Sequence, residues 1–411
     1  MIRYKKFPIR PSPNQLYLAP MVRVCRLGSR LLAQYYGVDA AWTEEIIDHK
    51  LVKTSRIEKE INGLHIIQYI LERGDTDKKG KKKHPLSSID EVVVSTSLEE
   101  TVPIILQIGS SDSTRAALAA KKCWKDFSGI DLNCGCPAHF STQGNMGGCL
   151  LDDPSIPFEI ISRIRKEVPP DYPISAKIRL LKSQEETISF IQGLEKVGTS
   201  FVTIHARYKG DKRSEPVHWK EVKPIVEDPR ISIPVIINGG LFTPQDILKC
   251  RELSGCSTFM IARAALYDLS IFQKLKDSFE SDPTLHVQKD DRFAVCRRLC
   301  ASMCICHDIK NVKFSIVSLL SKKKPYSSDR EEMEAKRLLK LVHAVSVKEG
   351  EEKIWEGMCE CLQIKSPHEL RRLGIKRGIS ECFEREKSDD GCDKEEKDLG
   401  TCECLGKRRR K

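Results

Sequence analysis

The sequence predicts a TIM (β/α)8 barrel followed by a smaller all-helical domain. Short runs rich in valine, isoleucine and alanine alternate with segments of helical periodicity, in about eight units over roughly the ~250 residues that such a barrel needs. Polar residues follow the ends of these runs, and the runs stop after Phe272. A doubly wound sheet is the alternative, but no G-x-G-x-x-G follows the first run, which weakens a dinucleotide-binding sheet.

The predicted strands are short apolar runs bounded by turn residues. They are Leu16–Ala19, Ala40–Trp42, Val102–Ile108, Gly129–Leu132, Ile174–Ile178, Phe201–His205, Pro234–Asn238 and Thr258–Ile261. Helix-like segments lie between them, at Arg115–Trp124, Pro157–Glu167, Glu186–Val197 and Pro244–Cys250. The last of these has Thr243 as an N-cap and Pro244 at the first helical position, which is a typical helix start.

The chain divides by composition into three parts. Residues 1–274 carry the βα alternation and form the predicted barrel domain. Residues 275–378 contain the helix-like segments Asp291–Leu320 and Arg330–Val347, so they form the predicted helical domain. Residues 379–411 are highly charged and poor in apolar side chains, which predicts a disordered tail.

The charge of the chain suggests an anionic partner. Lys and Arg total 69 against 58 for Asp and Glu, a formal net charge of +11. Basic runs occur at Lys78–His84, Lys322–Lys324, Arg371–Arg377 and Lys407–Lys411. A solvated loop and a disordered tail explain the first and the last of these about as well as RNA contact does.

The amino terminus indicates an intracellular protein. It has no apolar signal-peptide core, and no apolar run approaches the length of a membrane span. The 17 cysteines are therefore expected to be reduced thiols, and no membrane association is expected. We expect a cytoplasmic location, with the nucleus as a second one because the sequence ends in GKRRRK.

Polar residues and glycines, with a few apolar neighbours, gather at the predicted strand ends, where a TIM barrel places its chemistry. Singly, each has an ordinary structural explanation, such as a turn, a salt bridge or a core histidine. Those after the seventh and eighth strands suit a ligand phosphate, because glycine N–H groups there can bind an anion. The set comprises Ala19–Val22, Gln107, Asn133–Cys136, Lys177, Arg179, His205, Arg207, Asn238–Gly240, Ala262 and Arg263.

The cysteines after the fourth strand are open to several chemistries. Cys134 and Cys136 could form a disulfide, bind zinc, act as a redox pair or supply a catalytic acid. Zinc would need a second, well-spaced cysteine pair, and the segment after Cys136 supplies only Cys149, with no C-x-x-C partner. A denser cluster lies at Cys296, Cys300, Cys304, Cys306 and His307, but its i+4 spacing fits small buried side chains on one helix face, so no metal site is predicted.

These residues together resemble the tRNA-dihydrouridine synthases, flavin-dependent TIM-barrel enzymes. The resemblance covers the barrel, and NCGCP is its specific motif. Other features resemble the eukaryotic branch that modifies uridine 20 of the tRNA D-loop: PMVRVCRL, EEIID, FSTQGNMGG and NVKF at Asn311–Phe314. Gln143 stands where a lysine is expected in this branch. The family motifs are LAPMV at Leu18–Val22, QIG at Gln107–Gly109, NCGCP at Asn133–Pro137, AKIR at Ala176–Arg179, HAR at His205–Arg207, NGG at Asn238–Gly240 and ARAAL at Ala262–Leu266.

The resemblance implies a reaction and a set of roles. NADPH or NADH would reduce bound FMN, hydride would pass to C6 of the uracil, and Cys136 would protonate C5. A thiol suits that role, because it is protonated at neutral pH yet is more acidic than a hydroxyl. The implied FMN-binding residues are Pro20, Met21, Val22, Gln107, Lys177, His205, Asn238, Gly239, Gly240, Ala262 and Arg263. The implied tRNA-binding residues are Asn133, Arg179, Arg207, Lys310 and Lys313.

Two other functions stay open from the sequence. One is a flavin enzyme that acts on a free pyrimidine, which would have no use for a basic helical extension. The other is a catalytically silent tRNA-binding protein, which the intact Cys136, Lys177 and His205 argue against. No obligate protein partner is evident.

Overall fold

The structure is a computed structural model that describes residues 7, 12–61, 64–72, 91–279, 295, 296, 298, 299, 302, 312–320 and 329–344. Its central feature is a ring of eight parallel strands, which confirms the predicted TIM barrel. In ring order the strands are β1 (Leu16–Leu18), β2 (Ala40–Trp42), β7 (Ile104–Gly109), β8 (Gly129–Cys134), β9 (Ile174–Leu180), β10 (Phe201–Tyr208), β11 (Val235–Asn238) and β12 (Phe259–Ile261). The ring closes where β12 pairs with β1 in parallel.

Side-chain alternation along each strand separates the inside of the barrel from its outer layer. On β9, Ala176 and Ile178 are fully buried in the large apolar core, while the intervening Lys177 and Arg179 line a cavity. A second, aromatic cluster joins Phe7, Tyr17, Trp42 and Phe201, and Phe7 stacks on Phe201 with ring centroids 4.8 Å apart. Since Phe201 begins β10, this cluster fills the barrel below the polar strand ends.

Helices follow most barrel strands and cover their outer face. They are α1 (Leu27–Tyr35), α2 (Asp48–Val52), α3 (Ser113–Cys123), α4 (His139–Thr142), α5 (Ser155–Glu167), α6 (Gln184–Lys196), α7 (Trp219–Val226), α8 (Pro244–Ser254), α9 (Arg263–Tyr267) and α10 (Ile271–Asp277). The predicted helix start at Thr243 and Pro244 is confirmed, because Thr243 and Asp246 form a capping box. Among the described helices, none combines the length and the apolar character that crossing a bilayer would demand.

The connection between β2 and β7 contains elements that the sequence analysis did not assign. Strand β3 (Ile46–Ile47) pairs with the end of β7, and helix α2 follows it. A three-stranded antiparallel sheet then forms from β4 (Ser55–Ile61), β5 (Leu64–Leu71) and β6 (Glu91–Ser97). Strand β4 reads SRIEKEI and is mostly exposed, so it lacks the apolar alternation by which a strand is recognised.

The helical part is described only in pieces. Helix α11 (Val312–Leu319) lies within the first predicted helical segment, and α12 (Asp329–Ala344) begins one residue before the second. Two single residues connect this part to α1: Arg298 Nη1 donates to the Tyr35 hydroxyl at 3.0 Å, and Ser302 Oγ donates to the Gly28 carbonyl at 2.7 Å. The predicted boundary between residues 274 and 275 falls within α10, whereas residue 378 and the predicted tail lie outside the described residues. The division into domains stays a prediction.

A buried ion pair joins α1 to the antiparallel sheet. Arg30 is 1% exposed, and its guanidinium donates to Glu100 Oε1 at 2.6 Å and Oε2 at 3.1 Å. It also donates to the carbonyls of Cys25 at 3.0 Å and Ser95 at 2.8 Å. Both Arg30 and Glu100 are buried, so removal of one partner leaves the other charge buried without compensation.

We therefore expect Arg30→Met to lower the free energy of unfolding by about 3–5 kcal/mol, because Glu100 would stay buried without its cation. Chemical unfolding followed by circular dichroism would measure the change. The control is the double variant Arg30→Met/Glu100→Met, which removes both charges and should be more stable than the single variant. A double variant less stable than the single one would contradict this account.

Candidate active site

A cavity of about 450 Å³ opens at the carboxyl ends of the barrel strands. Its lining brings together residues from all eight barrel strands or the segments directly after them, together with Phe314 of α11. Of the predicted site residues, Lys310 lies outside the described residues, and the side chain of Lys313 does as well. The others all line the cavity: Pro20, Met21, Val22, Gln107, Asn133, Cys136, Lys177, Arg179, His205, Arg207, Asn238, Gly239, Gly240, Ala262 and Arg263.

A buried carboxylate organises the floor of the cavity. Asp131 Oδ2 accepts from Gln107 Nε2 at 2.8 Å, and Asp131 Oδ1 accepts from Ser175 Oγ at 2.6 Å. Burial raises the pKa of Asp131 to about 6, opposed by these hydrogen bonds and by the charge of Lys177. Burial lowers the pKa of Lys177 to about 8, and Asp131 opposes that change. At neutral pH the floor therefore presents a lysine cation to the cavity, beside a largely ionised carboxylate.

The loop after β8 holds Cys136 at the cavity wall. Asn133 Oδ1 accepts from the backbone N–H of Gly135 at 3.1 Å and of Cys136 at 3.2 Å. Arg179 Nε donates to the Gly135 carbonyl at 3.0 Å, and Gly148 N donates to the Cys136 carbonyl at 2.9 Å. These bonds come from β8, from β9 and from the turn beyond α4, so the loop is fixed from several sides.

The two cysteines of the loop have different surroundings. Cys136 is half-buried and lines the cavity, whereas Cys134 is fully buried among the apolar side chains outside the strands. Burial raises the pKa of the Cys136 thiol, and the carboxylate of Glu45 raises it further, against Asn133 and Lys177. Cys136 is therefore protonated at neutral pH, and it alone of the pair can meet a ligand in the cavity.

His205 is a neutral side chain in a cationic environment. Burial, followed by the charges of Lys177, Arg179, Arg207 and Arg263, lowers the pKa of His205 to about 2. Its Nε2 lies 3.2 Å from Arg207 Nη1. Since a guanidinium can only donate, Nε2 must accept and the ring proton sits on Nδ1.

Two glycines at the end of β11 make room on the cavity wall. Gly239 has φ +109°, and a Cβ there would lie 2.6 Å from His205 Cδ2. Gly240 has φ +76°, and a Cβ there would lie 2.8 Å from Val217 Cγ2. Both positions thus require glycine on conformational and on steric grounds.

Arginines surround the cavity, but their functions differ. Arg179 donates to three backbone carbonyls, those of Gly135, Tyr208 and Asp211. Arg207 Nε donates to the Glu215 carbonyl at 2.9 Å. Both are nearly buried, so they hold loops as well as contributing charge, and their predicted contact with substrate stays a prediction. Arg263 is more accessible, and its guanidinium lies 5.0 Å from the centre of the Phe242 ring.

The sequence analysis missed several lining residues. Glu45 belongs to the EEIID motif and Phe314 to NVKF, but neither was given a role. Arg23 lies over the Phe314 ring at 5.9 Å, which connects the α11 helix to the loop after β1. In the sequence, only their place in these motifs pointed to a role for Glu45 and Phe314. No periodicity indicates that their two segments meet at the cavity. The further lining residues to which no role was assigned are Ala19, Val24, Gly135, Pro137, Ala138, Arg213, Leu241, Phe242, Met260 and Leu266.

Comparison with known proteins identifies the family. The model of the dihydrouridine synthase (Dus) family matches residues 81–356. The chain belongs to the dihydrouridine synthase family. This match includes β8 with the Cys136 loop and all later barrel strands.

The most similar relatives include three from eukaryotes. The tRNA-dihydrouridine(20) synthase (NAD(P)+) of Schizosaccharomyces pombe is 33% identical over 266 residues, which is 63% of this chain and 52% of that protein. The corresponding protein of Saccharomyces cerevisiae is 34% identical over 281 residues, 66% of this chain and 69% of the relative. A human tRNA-dihydrouridine(20a/20b) synthase (NAD(P)+)-like protein is 27% identical over 255 residues, 62% of this chain and 69% of the relative. The chain thus matches about half of the length of the fission yeast protein.

The protonation of Cys136 can be tested directly. Because burial and Glu45 raise its pKa, alkylation by iodoacetamide should reach half its maximal rate above pH ~8.5, the midpoint of a free cysteine. Mass spectrometry of the Cys136 peptide after timed labelling would measure the midpoint. Lys177→Met removes a positive charge that favours the thiolate, so it should shift the midpoint higher. A midpoint below that of free cysteine would contradict the assignment of a protonated thiol.

Proposed function

We propose that this protein is an FMN-dependent tRNA-dihydrouridine synthase that reduces the C5–C6 double bond of uridine, at position 20 of the D-loop, with NADPH or NADH. The observation that carries the proposal is a protonated cysteine, Cys136, held at a cavity whose floor presents Lys177, in a chain of the dihydrouridine synthase family. The names of the relatives are all of tRNA-modifying enzymes and support tRNA over a free pyrimidine.

The cavity is suited to a flavin mononucleotide. Its volume of about 450 Å³ is in the range of sites for such ligands. Gly239 and Gly240 form a side-chain-free wall at the end of the seventh barrel strand, and Arg263 beside them supplies a positive charge for the phosphate. Lys177 and Gln107 on the floor would hold the polar ring edge, with Pro20, Met21, Val22 and Ala262 as further wall residues. Bound FMN would supply the hydride chemistry, which no side chain of the protein can provide.

The residues of the chain supply binding and the proton. The Cys136 thiol retains its proton at neutral pH and can release it to C5 of a uracil that receives hydride at C6. Asn133 fixes the backbone on which the thiol is carried. Lys177 stabilises negative charge at the floor, and Asp131 holds Gln107 in place and favours the charged form of Lys177.

The cavity rim has features suited to RNA. Phe314 and Phe242 are 39% and 37% exposed, and each has a guanidinium over its ring, from Arg23 and Arg263. Aromatic and arginine planes stack on nucleobases, and cations contact phosphates. Such contacts would offset the few kcal/mol needed to extract a uridine from its stack. The predicted roles of Lys310 and Lys313, and a cytoplasmic and nuclear location, belong to the same proposal.

Purified protein with NADPH should form dihydrouridine in an unmodified tRNA transcript, measured by mass spectrometry of nucleosides. Cys136→Ala should keep bound flavin and its reduction by NADPH, while dihydrouridine formation falls by at least ~100-fold, because the proton donor is gone. Cys134→Ala is the matched control and should retain turnover, since its sulfur is buried away from the cavity. Equal losses in the two variants would overturn the assignment of one catalytic thiol.

The phosphate contact predicts a second set of variants. Arg263→Ala should weaken FMN binding by about tenfold or more, because a charged hydrogen bond to phosphate contributes roughly 1.5–3 kcal/mol. Flavin fluorescence during dilution would measure the affinity. Arg163→Ala removes an exposed arginine that pairs with Glu159 on α5 and does not line the cavity, so it should leave the affinity unchanged. An unchanged affinity in Arg263→Ala would remove this residue from the cofactor site.

A further inference from the structure

Glu45 is a buried carboxyl group at the cavity wall, and it has no role in the reaction proposed above. It lies between β2 and β3, lines the cavity and is 9% exposed. Its Oε1 accepts from Ser141 Oγ at 3.3 Å, and its carboxylate also bonds to the side chain of Asn133. Ser141 is itself fully buried, so the carboxyl group is held on two sides by groups shielded from water.

Two glycines provide the space for this arrangement. A Cβ on Gly109, the last residue of β7, would collide with Glu45 Oε1. A Cβ on Gly147, which has φ +60°, would collide with Ser141 Oγ and lie 3.1 Å from Cys136 Cβ. Glycines on two separate elements therefore allow the carboxyl group and the cysteine to approach the same small volume.

Asn133 connects Glu45 to Cys136. Its side chain interacts with the Glu45 carboxylate and also with the Cys136 sulfur, while its Oδ1 holds the backbone of the cysteine loop. The charged groups that interact with the cysteine are Glu45, Lys177 and Arg179. Glu45 is the one carboxylic acid among these three, Arg179 keeps its proton, and Lys177 is the cation of the cavity floor.

The proposed reaction requires a proton source that restores Cys136 between turnovers. Each turnover converts the half-buried Cys136 thiol to a thiolate, and the next turnover cannot begin until the thiol is restored. A carboxyl group whose pKa burial has raised is a suitable donor, because it holds a proton closer to neutral pH than an exposed glutamate does. Glu45 is such a group and shares its hydrogen-bond partner with the cysteine.

We propose that Glu45 is a positioning residue that acts through Cys136: it returns a proton to the Cys136 thiolate after each turnover, an inference that rests on the proposed function. In this step the O–H bond of Glu45 breaks and the S–H bond of Cys136 forms. The carboxylate then takes a proton from solvent, and no electrons are exchanged. The acid that meets the substrate remains Cys136.

The test compares single and multiple turnovers of Glu45→Gln, which preserves the shape of the side chain and removes its acidic proton. Enzyme prereduced with NADPH and mixed with a limiting amount of tRNA starts with a protonated thiol, so its first turnover should stay within about twofold of wild type. Steady-state formation of dihydrouridine should fall by about tenfold or more. Thermal unfolding would check the fold, and Glu159→Gln, an exposed glutamate on α5, is the matched control.

The pH profile supplies a second readout. Wild-type steady-state turnover should fall as pH rises through the pKa of Glu45, because the deprotonated carboxylate cannot donate. This limb should be missing in Glu45→Gln and present in Glu45→Asp, which restores the acid. A further decrease at higher pH, from Cys136 itself, should be common to all variants.

The outcomes separate the two proposals. If wild-type protein forms no dihydrouridine in tRNA, the proposed function fails before Glu45 is considered. If wild type is active and Glu45→Gln has normal steady-state turnover and an unchanged pH profile, proton return by Glu45 is wrong. If single-turnover and steady-state rates fall equally, Glu45 merely supports the loop, which also overturns the proposal.

Discussion

The buried carboxylate of Asp131 is the interaction around which the cavity is built. It sits on β8 inside the barrel and is bonded to Gln107 on β7 and Ser175 on β9. A charge in this position would be costly unless it were hydrogen-bonded and paired, and the nearby cation of Lys177 completes the compensation. The side chains of three adjacent strands are thereby held in fixed positions before any ligand arrives. Because their side chains are held in advance, the ends of β7, β8 and β9 can form the floor on which a ligand binds.

The cysteine loop depends on the same strands. Asn133 lies two residues beyond Asp131, so the alternation of β8 directs both inward and sends Cys134 to the apolar outer layer. Arg179, two residues beyond Lys177, reaches the loop carbonyl of Gly135. The reactive thiol is thus positioned by neighbours of the floor residues. Because β8 and β9 carry both the floor residues and the groups that hold the cysteine loop, the barrel itself sets the distance from the floor to the Cys136 thiol.

The sequence predicted the barrel and its strand-end residues well because both follow from local patterns. Parallel barrel strands are apolar runs, and the carboxyl ends of such strands meet at one face, so Lys177 and His205 could be placed together without a structure. Strand β4 could not be predicted, since SRIEKEI carries mostly exposed side chains. Glu45 and Phe314 reach the cavity through loop and helix packing, which no periodicity specifies.

Burial gives the cavity its acid and base properties, and it acts oppositely on groups of opposite charge. It raises the pKa of Glu45 and Cys136 and lowers that of Lys177 and His205, so each shift favours the neutral form. Glu45 and Cys136 therefore keep their protons to higher pH than exposed groups do, while His205 is a neutral hydrogen-bonding group. Asp131 opposes the effect of burial at Lys177 and favours its charged form. The buried carboxylate therefore preserves one cation at the floor of a site in which desolvation otherwise removes charge.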